Sequence, residues 1–428
     1  MPNIQSVGAR MRARAPLRVP DGKARRHRPD YILLIVAALL LAIGLVVVYS
    51  IGPALSATRG EGNGTNYFTR QLIAIGLSIV AFTITSRVPL RVWRQWQWVL
   101  LALALIGTVI ALLTPVVPAY PAHRWIRFGP LSLQSVEALK YALLITVSGF
   151  LALQAKRGEL SNARKTMYPL GIVLVVLGAV VAGVQSDFGS MGVIVAMIVL
   201  MAFIAGLPMR RILLVGTILV AGGVLLIAAT PYRRERLHAY LNPETSCRTT
   251  GYQACMALVA IGSGGITGLG VGQGAQAYGY LPEAQNDSIF AIYAEKFGFL
   301  GSMVLIGLYV MLFARMRLVA ERAPTLFSRL IVVGVLAWLA TQTIVNIGAM
   351  IGLLPLKGIT LPLVSYGGTS VLFVGAALGL VFQISHYTSF TARVISNTSG
   401  KGSNYEHSHD RGRIRGTHYP NSRRSQRN

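Results

Sequence analysis

An all-α polytopic membrane protein is the fold class this sequence predicts, and three observations predict it. The 428 residues are 53% hydrophobic and 13% charged, whereas soluble domains carry about a quarter charged residues. The apolar residues gather into ten runs, each near the ~20 residues that cross a bilayer core. The charged residues lie between the runs, basic and acidic ones falling on alternate sides.

The first run, 31–51, follows a basic stretch and begins too far in to be a cleavable signal segment. Runs at 68–86 and 97–117 follow, then 134–154, 168–185, 188–206 and 211–230. The last three are 287–314, 327–351 and 364–386. Lipid offers backbone groups no partner, so each is expected to be helical, giving about ten transmembrane helices.

Orientation follows from lysine and arginine. Arg10 to Arg28 precede the first span, and Arg87, Arg91 and Arg94 separate the second from the third. Lys156, Arg157, Arg164 and Lys165 follow the fourth, Arg210 and Arg211 the sixth, and Arg315, Arg317, Arg322 and Arg329 the eighth. All these lie on one side together with the C-terminal tail, so both termini are expected in the cytoplasm. The domain reading is a basic tail at 1–30, a transmembrane domain at 31–390 and a second basic tail at 391–428. Both tails are expected to be disordered chain beside anionic lipid. The net charge of +26 does not form a folded basic patch, which argues against nucleic acid as a partner.

Of the 14 carboxylates, Glu61, Glu137, Asp187, Glu235, Glu244, Glu283, Asp287 and Glu295 fall on the opposite, outer side. The longest connection, about 231–286 between spans 7 and 8, is also outer, and connections of that length are often functional. It carries the cationic cluster Arg233, Arg234 and Arg236 and the run IGSGGITGLGVGQG, which either touches ligand or makes re-entrant turns. Cys247 and Cys255 are either a disulfide or two thiols. Asp287 opens the eighth span, where it is either a base for a sugar hydroxyl or a helix cap. Glu295 and Lys296 read as a structural charge pair with other helices.

Glu137 and Lys140 are three apart on one helix face, so they can pair and line a cavity. Arg124 and Arg127 precede them at headgroup level, where they bind a lipid phosphate or snorkel. Gln185 and Asp187 form another short outer turn. Pro355, Pro362, Gly367 and Gly368 interrupt GLLPLKGITLPLVSYGGTS, residues 352–370, between the last two spans. Irregular backbone at membrane depth is tolerated where it lines a cavity or packs into protein.

That stretch resembles the hallmark of the SEDS (shape, elongation, division, sporulation) family, the FtsW and RodA proteins of bacterial cell-wall synthesis. VVVYS, YFTRQL, HRWIRFGPLSLQSVEALK, QSDFG, YRRERL, GYQ, AIGSGG and YLPEAQNDSIFAIYAEKFGFLG follow in family order over about 31–390. YRRERLHAYLNPE and LLPLKGITLPLVSYGG lean toward the septal FtsW branch. Departures occur at Gln285-Asn286-Asp287-Ser288, where the family commonly has His-Thr-Asp-Phe, at Gln134-Ser135-Val136-Glu137, and at Glu295-Lys296.

The resemblance implies a glycosyltransferase that polymerises lipid II on the outer face of the cytoplasmic membrane, at the division septum. It also implies a class B penicillin-binding protein and other membrane proteins of the divisome as partners. The family's essential aspartate aligns with Asp287, and its functional arginine, glutamate and lysine align with Arg124, Glu137 and Lys140. Arg233, Arg234, Lys140 or Lys357 would hold the pyrophosphate, and a divalent cation, magnesium or manganese, could share that task. No all-protein metal cage is visible in the sequence. Lys357, Ser365 and Tyr366 are expected to turn toward substrate or toward Asp287, the alternative being a structural kink. A lipid II flippase and a non-catalytic division scaffold are the rival readings.

Overall fold

The computed structural model describes residues 25–26, 28–59, 65–115, 123–128, 131–228, 230–241 and 246–388. The tail at 391–428 and most of that at 1–30 lie outside them, as do Glu61 and Glu244. Each predicted span is met by a helix. In chain order the helices are α1 (Tyr31–Arg59), α2 (Thr65–Arg87), α3 (Leu90–Gln95), α4 (Gln97–Leu113) and α5 (Ser135–Arg157). Then come α6 (Tyr168–Leu177), α7 (Phe188–Ala205), α8 (Met209–Ala228), α9 (Pro231–Leu241) and α10 (Tyr252–Gly264). Finally there are α11 (Ile289–Arg322), α12 (Leu326–Met350) and α13 (Gly368–Ser385). Wide π-type turns at Ala163–Met167 and Gly178–Val184 extend α6 at both ends. Among the described residues, eight helical stretches are long and apolar enough to cross a membrane. The 17 residues of α4 and the 20 of α8 fill the other two predicted spans.

Burial sorts these helices into layers. In α5 and α13, 78% of the apolar window is buried, against 22% in α2. A helix apolar all round belongs inside a bundle, so α5 and α13 form the centre. The outward leucines and isoleucines of α2, α4 and α8 are exposed and face lipid.

Close approach at the centre depends on small residues. Gly375 and Gly379 of α13 form a small-xxx-small pair against α2. A Cβ on Gly379 would lie 2.6 Å from the Phe82 carbonyl, and one on Gly375 would lie 3.0 Å from that of Ser78. The Ser78 hydroxyl donates across this seam to the Val371 carbonyl at 2.9 Å. Gly379→Val is therefore expected to cost about 1–3 kcal/mol, read as a lower unfolding midpoint in detergent. Gly76→Ala on α2, where a Cβ would meet nothing within 4 Å, serves as the matched control.

Segments predicted on one side of the membrane meet one another. Asp30 pairs with Arg315 at 2.6 Å, and its N–H donates to Ser385 Oγ at 3.1 Å. Gln383 donates to the Val88 carbonyl at 2.7 Å, and Arg25–Arg26 pairs antiparallel with Tyr387–Thr388. At the other end, Tyr240 of α9 donates to the Leu353 carbonyl at 2.8 Å. A short hairpin also lies there, Trp125–Phe128 against Leu131–Gln134, in a stretch with no strand expected.

The glycine-rich run turns out to complete a broken helix. α11 breaks at Gly298, whose φ of 63° favours glycine. Across the break, Leu269 and Gly270 N–H donate to the Glu295 and Lys296 carbonyls at 3.0 and 2.9 Å. Phe299 and Leu300 N–H donate to Gly265 and Ile266 at 2.9 and 3.1 Å. The loop thereby supplies the backbone partners that the interruption removes, which is how a break at membrane depth is tolerated. Among the described residues, Glu295 and Lys296 form no ion pair with another helix. Glu295 Oε1 accepts from Ala275 and Gln276 N–H, and Lys296 Nζ donates to the Gln273 carbonyl at 3.1 Å.

Candidate functional site

The irregular stretch 351–367 packs onto the turn that carries Asp287. Tyr366 N–H donates to the Gln285 carbonyl at 2.9 Å. Ser365 Oγ donates to the Asn286 carbonyl at 2.6 Å and accepts from Leu361 N–H at 2.7 Å. Asn346 of α12 spans both segments, its Nδ2 donating to the Asp287 carbonyl at 2.7 Å and the Ile359 carbonyl at 2.8 Å. Successive carbonyls are thus all held, and the half-buried carboxylate stands beside Gly358, where a Cβ would sit 3.7 Å from Asp287 Oδ2. Ser288, not Asp287, occupies the cap position of α11.

The predicted breakers divide between the irregular stretch and the start of the helix that follows it. Pro355 and Pro362 lie in the non-helical stretch, Gly367 caps α13 and Gly368 opens it. Tyr309 of α11 donates to the buried Pro362 carbonyl at 2.5 Å. Leu363 holds a left-handed φ of 67°, and Tyr366 packs edge-on against Tyr67 at 5.6 Å. Lys357 is half-buried, with Nζ 5.4 Å from the Phe188 ring centre. Gly189 lets this wall close, because a Cβ there would lie 2.6 Å from Ile359 Cγ1.

Two predicted groups have other neighbours. Arg124 donates through Nε to the Gln185 carbonyl at 2.8 Å and through Nη2 to the Ser186 carbonyl at 2.7 Å. These are carbonyls at the C-terminal end of Gly178–Val184, where a cation complements the helix dipole. Asp187 caps α7, its Oδ1 accepting from Ser190 N–H at 3.0 Å. Glu137 and Lys140 pair at 2.7 Å with side-chain exposures of 3% and 0%, and Lys140 Nζ lies 5.1 Å from the Trp338 ring centre. Trp338 and Asn346 are eight residues apart on α12, about 12 Å of helix rise. The pair therefore sits about two turns from the level of Asp287. Arg234 is exposed on α9, while the Arg233 side chain lies outside the described part.

The site thus brings together Asp287, Lys357, Ser365 and Tyr366. Asn346 was missed, although a lone asparagine within the run 327–351 carries the signal of a polar group at membrane depth. Thr369 was missed as well. Its hydroxyl donates to the Ser132 carbonyl at 2.9 Å and accepts from Gln134 N–H at 3.2 Å, tying the hairpin to α13. Neither bond has a local sequence signal.

A model of the cell cycle protein family that comprises FtsW, RodA and SpoVE matches residues 30–390. The chain belongs to that family. It is 34% identical over 368 residues to the stage V sporulation protein E of Bacillus subtilis, covering 86% of this chain and 99% of that one. It is 35% identical to the probable peptidoglycan glycosyltransferase FtsW of Coxiella burnetii, covering 84% and 96%. Its fold matches a chain from a peptidoglycan synthase complex that coordinates polymerization and crosslinking, with a TM-score of 0.65 and 26% identity over 83% of this chain and 97% of that one. The rod shape determining protein RodA of Thermus thermophilus matches with a TM-score of 0.59 and 26% identity over 83% and 96%. Membership makes the chain a multi-pass membrane protein of this fold.

Among the described residues no three His, Cys, Asp or Glu side chains converge to hold a metal ion.

Ser365→Ala removes a donor to Asn286 and an acceptor for Leu361 at once. It is expected to cost about 1–3 kcal/mol locally and to lower turnover more than apparent substrate affinity, as steady-state kinetics would report.

Proposed function

We propose that the protein is a peptidoglycan glycosyltransferase that polymerises lipid II on the outer face of the cytoplasmic membrane. The observation that carries this reading is the Asp287 carboxylate, presented at the mouth of α11 by a turn whose carbonyls are held by Ser365, Tyr366 and Asn346. Relatives bearing the name of that activity support it along most of the chain. Positive-inside charge supports cytoplasmic termini and therefore an outward-facing Asp287. Activity at the division septum with a class B penicillin-binding protein and other divisome membrane proteins belongs to the same proposal.

Glycosyl transfer needs a base for the acceptor sugar's 4-hydroxyl. As that oxygen bonds to the donor's anomeric carbon, the bond from this carbon to the pyrophosphate oxygen breaks. The hydroxyl proton passes to the Asp287 carboxylate and undecaprenyl pyrophosphate departs. Lys357, one residue from Gly358, is the cation nearest in sequence to the Asp287 contact, and a point charge there would favour the leaving phosphate. Arg233 and Arg234 on α9 are further candidates for that role. In this reading the buried Glu137–Lys140 pair shapes the wall, and Arg124 fixes the Gln185–Asp187 turn.

The test is polymerisation of purified lipid II by the detergent-solubilised protein together with its class B partner, with glycan chains resolved on a gel. A ladder of glycan is expected. Movement of lipid II across vesicles with no polymer formed would replace this reading with the flippase.

A further inference from the structure

We propose that Gln253 and Ser288 are positioning residues for Asp287, held in register by the Cys247–Cys255 disulfide, so that turnover depends on that covalent bond. The effect on turnover rests on the glycosyltransferase reading. The geometry does not.

The two cysteines are joined, with Cα atoms 5.5 Å apart. Their bond closes the turn before α10 onto the first turn of that helix. Gly251 stands at the α10 cap position and no side chain caps it, although a helix start leaves N–H groups in need of partners. The turn is compact, with Thr249 and Gly251 N–H both donating to the Ser246 carbonyl at 3.0 Å. A Cβ on Gly251 would sit 2.9 Å from that same carbonyl oxygen. The disulfide thus adds a covalent tie to the backbone hydrogen bonds that define where α10 begins.

Gln253 is the second residue of that helix. Its Nε2 donates to Ser288 Oγ at 3.0 Å and to the Pro282 carbonyl at 3.5 Å. Ser288 is fully buried. Its hydroxyl donates to Pro282 at 2.9 Å, and its N–H donates to the Glu283 carbonyl at 3.2 Å. Ser288 directly follows Asp287, so the 282–288 turn is held from two sides. Asn346, Ser365 and Tyr366 hold one side, and Gln253, itself fixed by the disulfide, holds the other. Misplacement of a reacting group by about 1 Å can cost up to a hundredfold in rate.

The experiment uses the full chain in detergent with its partner, oxidised or treated with tris(2-carboxyethyl)phosphine. The phosphine converts the disulfide into two thiols and becomes its oxide, taking the oxygen from water. Reduction, Cys247→Ser with Cys255→Ser, Gln253→Leu and Ser288→Ala are each expected to lower kcat about tenfold with KM within about twofold. Ser288→Thr, which keeps the hydroxyl, retains activity. Reducing the Gln253→Leu protein lowers kcat no further, because coupled groups are non-additive. Hydrogen exchange of the 282–288 amides rises on reduction in wild type and not further in Gln253→Leu.

An oxidised wild type that makes glycan and loses no turnover on reduction overturns the proposal. So does a Gln253→Leu protein that loses the same factor on reduction as wild type. If oxidised wild type makes no glycan at all, that failure belongs to the glycosyltransferase reading. The relay then stands if exchange at 282–288 rises on reduction through Gln253, and falls if it does not.

Discussion

Asp287→Asn is expected to lower lipid II polymerisation by at least about a hundredfold, the lower range for removing a general base. The substitution keeps the side chain's shape, so the space beside Gly358 is unchanged. The bonds that fix this turn run to backbone carbonyls of Gln285, Asn286 and Asp287, none of which is altered. Folding should therefore survive while proton acceptance is lost. Asp287→Glu keeps the carboxylate but displaces it by one methylene from the geometry of the native side chain, so a rate between the two is expected. Initial rates against lipid II concentration, beside unfolding midpoints in detergent, separate loss of chemistry from loss of fold.

Glu137→Leu alone is expected to be among the most destabilising single changes in the bundle. It would strand Lys140, whose side chain is 0% exposed, as an uncompensated buried charge, a situation that costs about 3–5 kcal/mol. Lys140→Met alone strands Glu137 in the same way. Joining the two changes should recover most of the loss, because replacing a whole buried ion pair by apolar groups of similar size is often neutral. Trp338, over which Lys140 lies, would then pack against methionine. Unfolding midpoints of the two single variants and the double variant form the cycle. A Glu137→Leu protein as stable as wild type would show that Lys140 is not confined as described.

The spans were legible because about 20 apolar residues in a row leave backbone in lipid one local solution, the helix. Breaks were legible where proline made them, at Pro355 and Pro362, since proline removes a donor whatever surrounds it. The break at Gly298 was not. A single glycine in an apolar run carries no such mark, and the partners that make it tolerable come from Gly265 and Ile266, about thirty residues earlier. The same non-local pairing explains why the glycine-rich run read as a turn or ligand loop.

At the site, Asp287 and the 352–370 stretch stood out as polar or irregular features in apolar surroundings. Their mutual support did not, because Ser365 and Asn346 reach backbone carbonyls, which every residue has. Arg124 illustrates the limit. Its position at headgroup level left phosphate binding and snorkelling open, and its hydrogen bonds to the Gln185 and Ser186 carbonyls are set by tertiary folding, which no local pattern encodes. The cysteine pairing likewise needed the 5.5 Å approach that spacing alone does not give.

In the proposed mechanism the carboxylate presented by the 282–288 turn receives the acceptor's proton. The most direct measurement is a structure of the full chain with its class B partner and bound lipid II. The expected result is the acceptor 4-hydroxyl within hydrogen-bond reach, about 2.6–3.2 Å, of the Asp287 carboxylate. An acceptor sugar seated away from Asp287, with its 4-hydroxyl on another carboxylate, would contradict it.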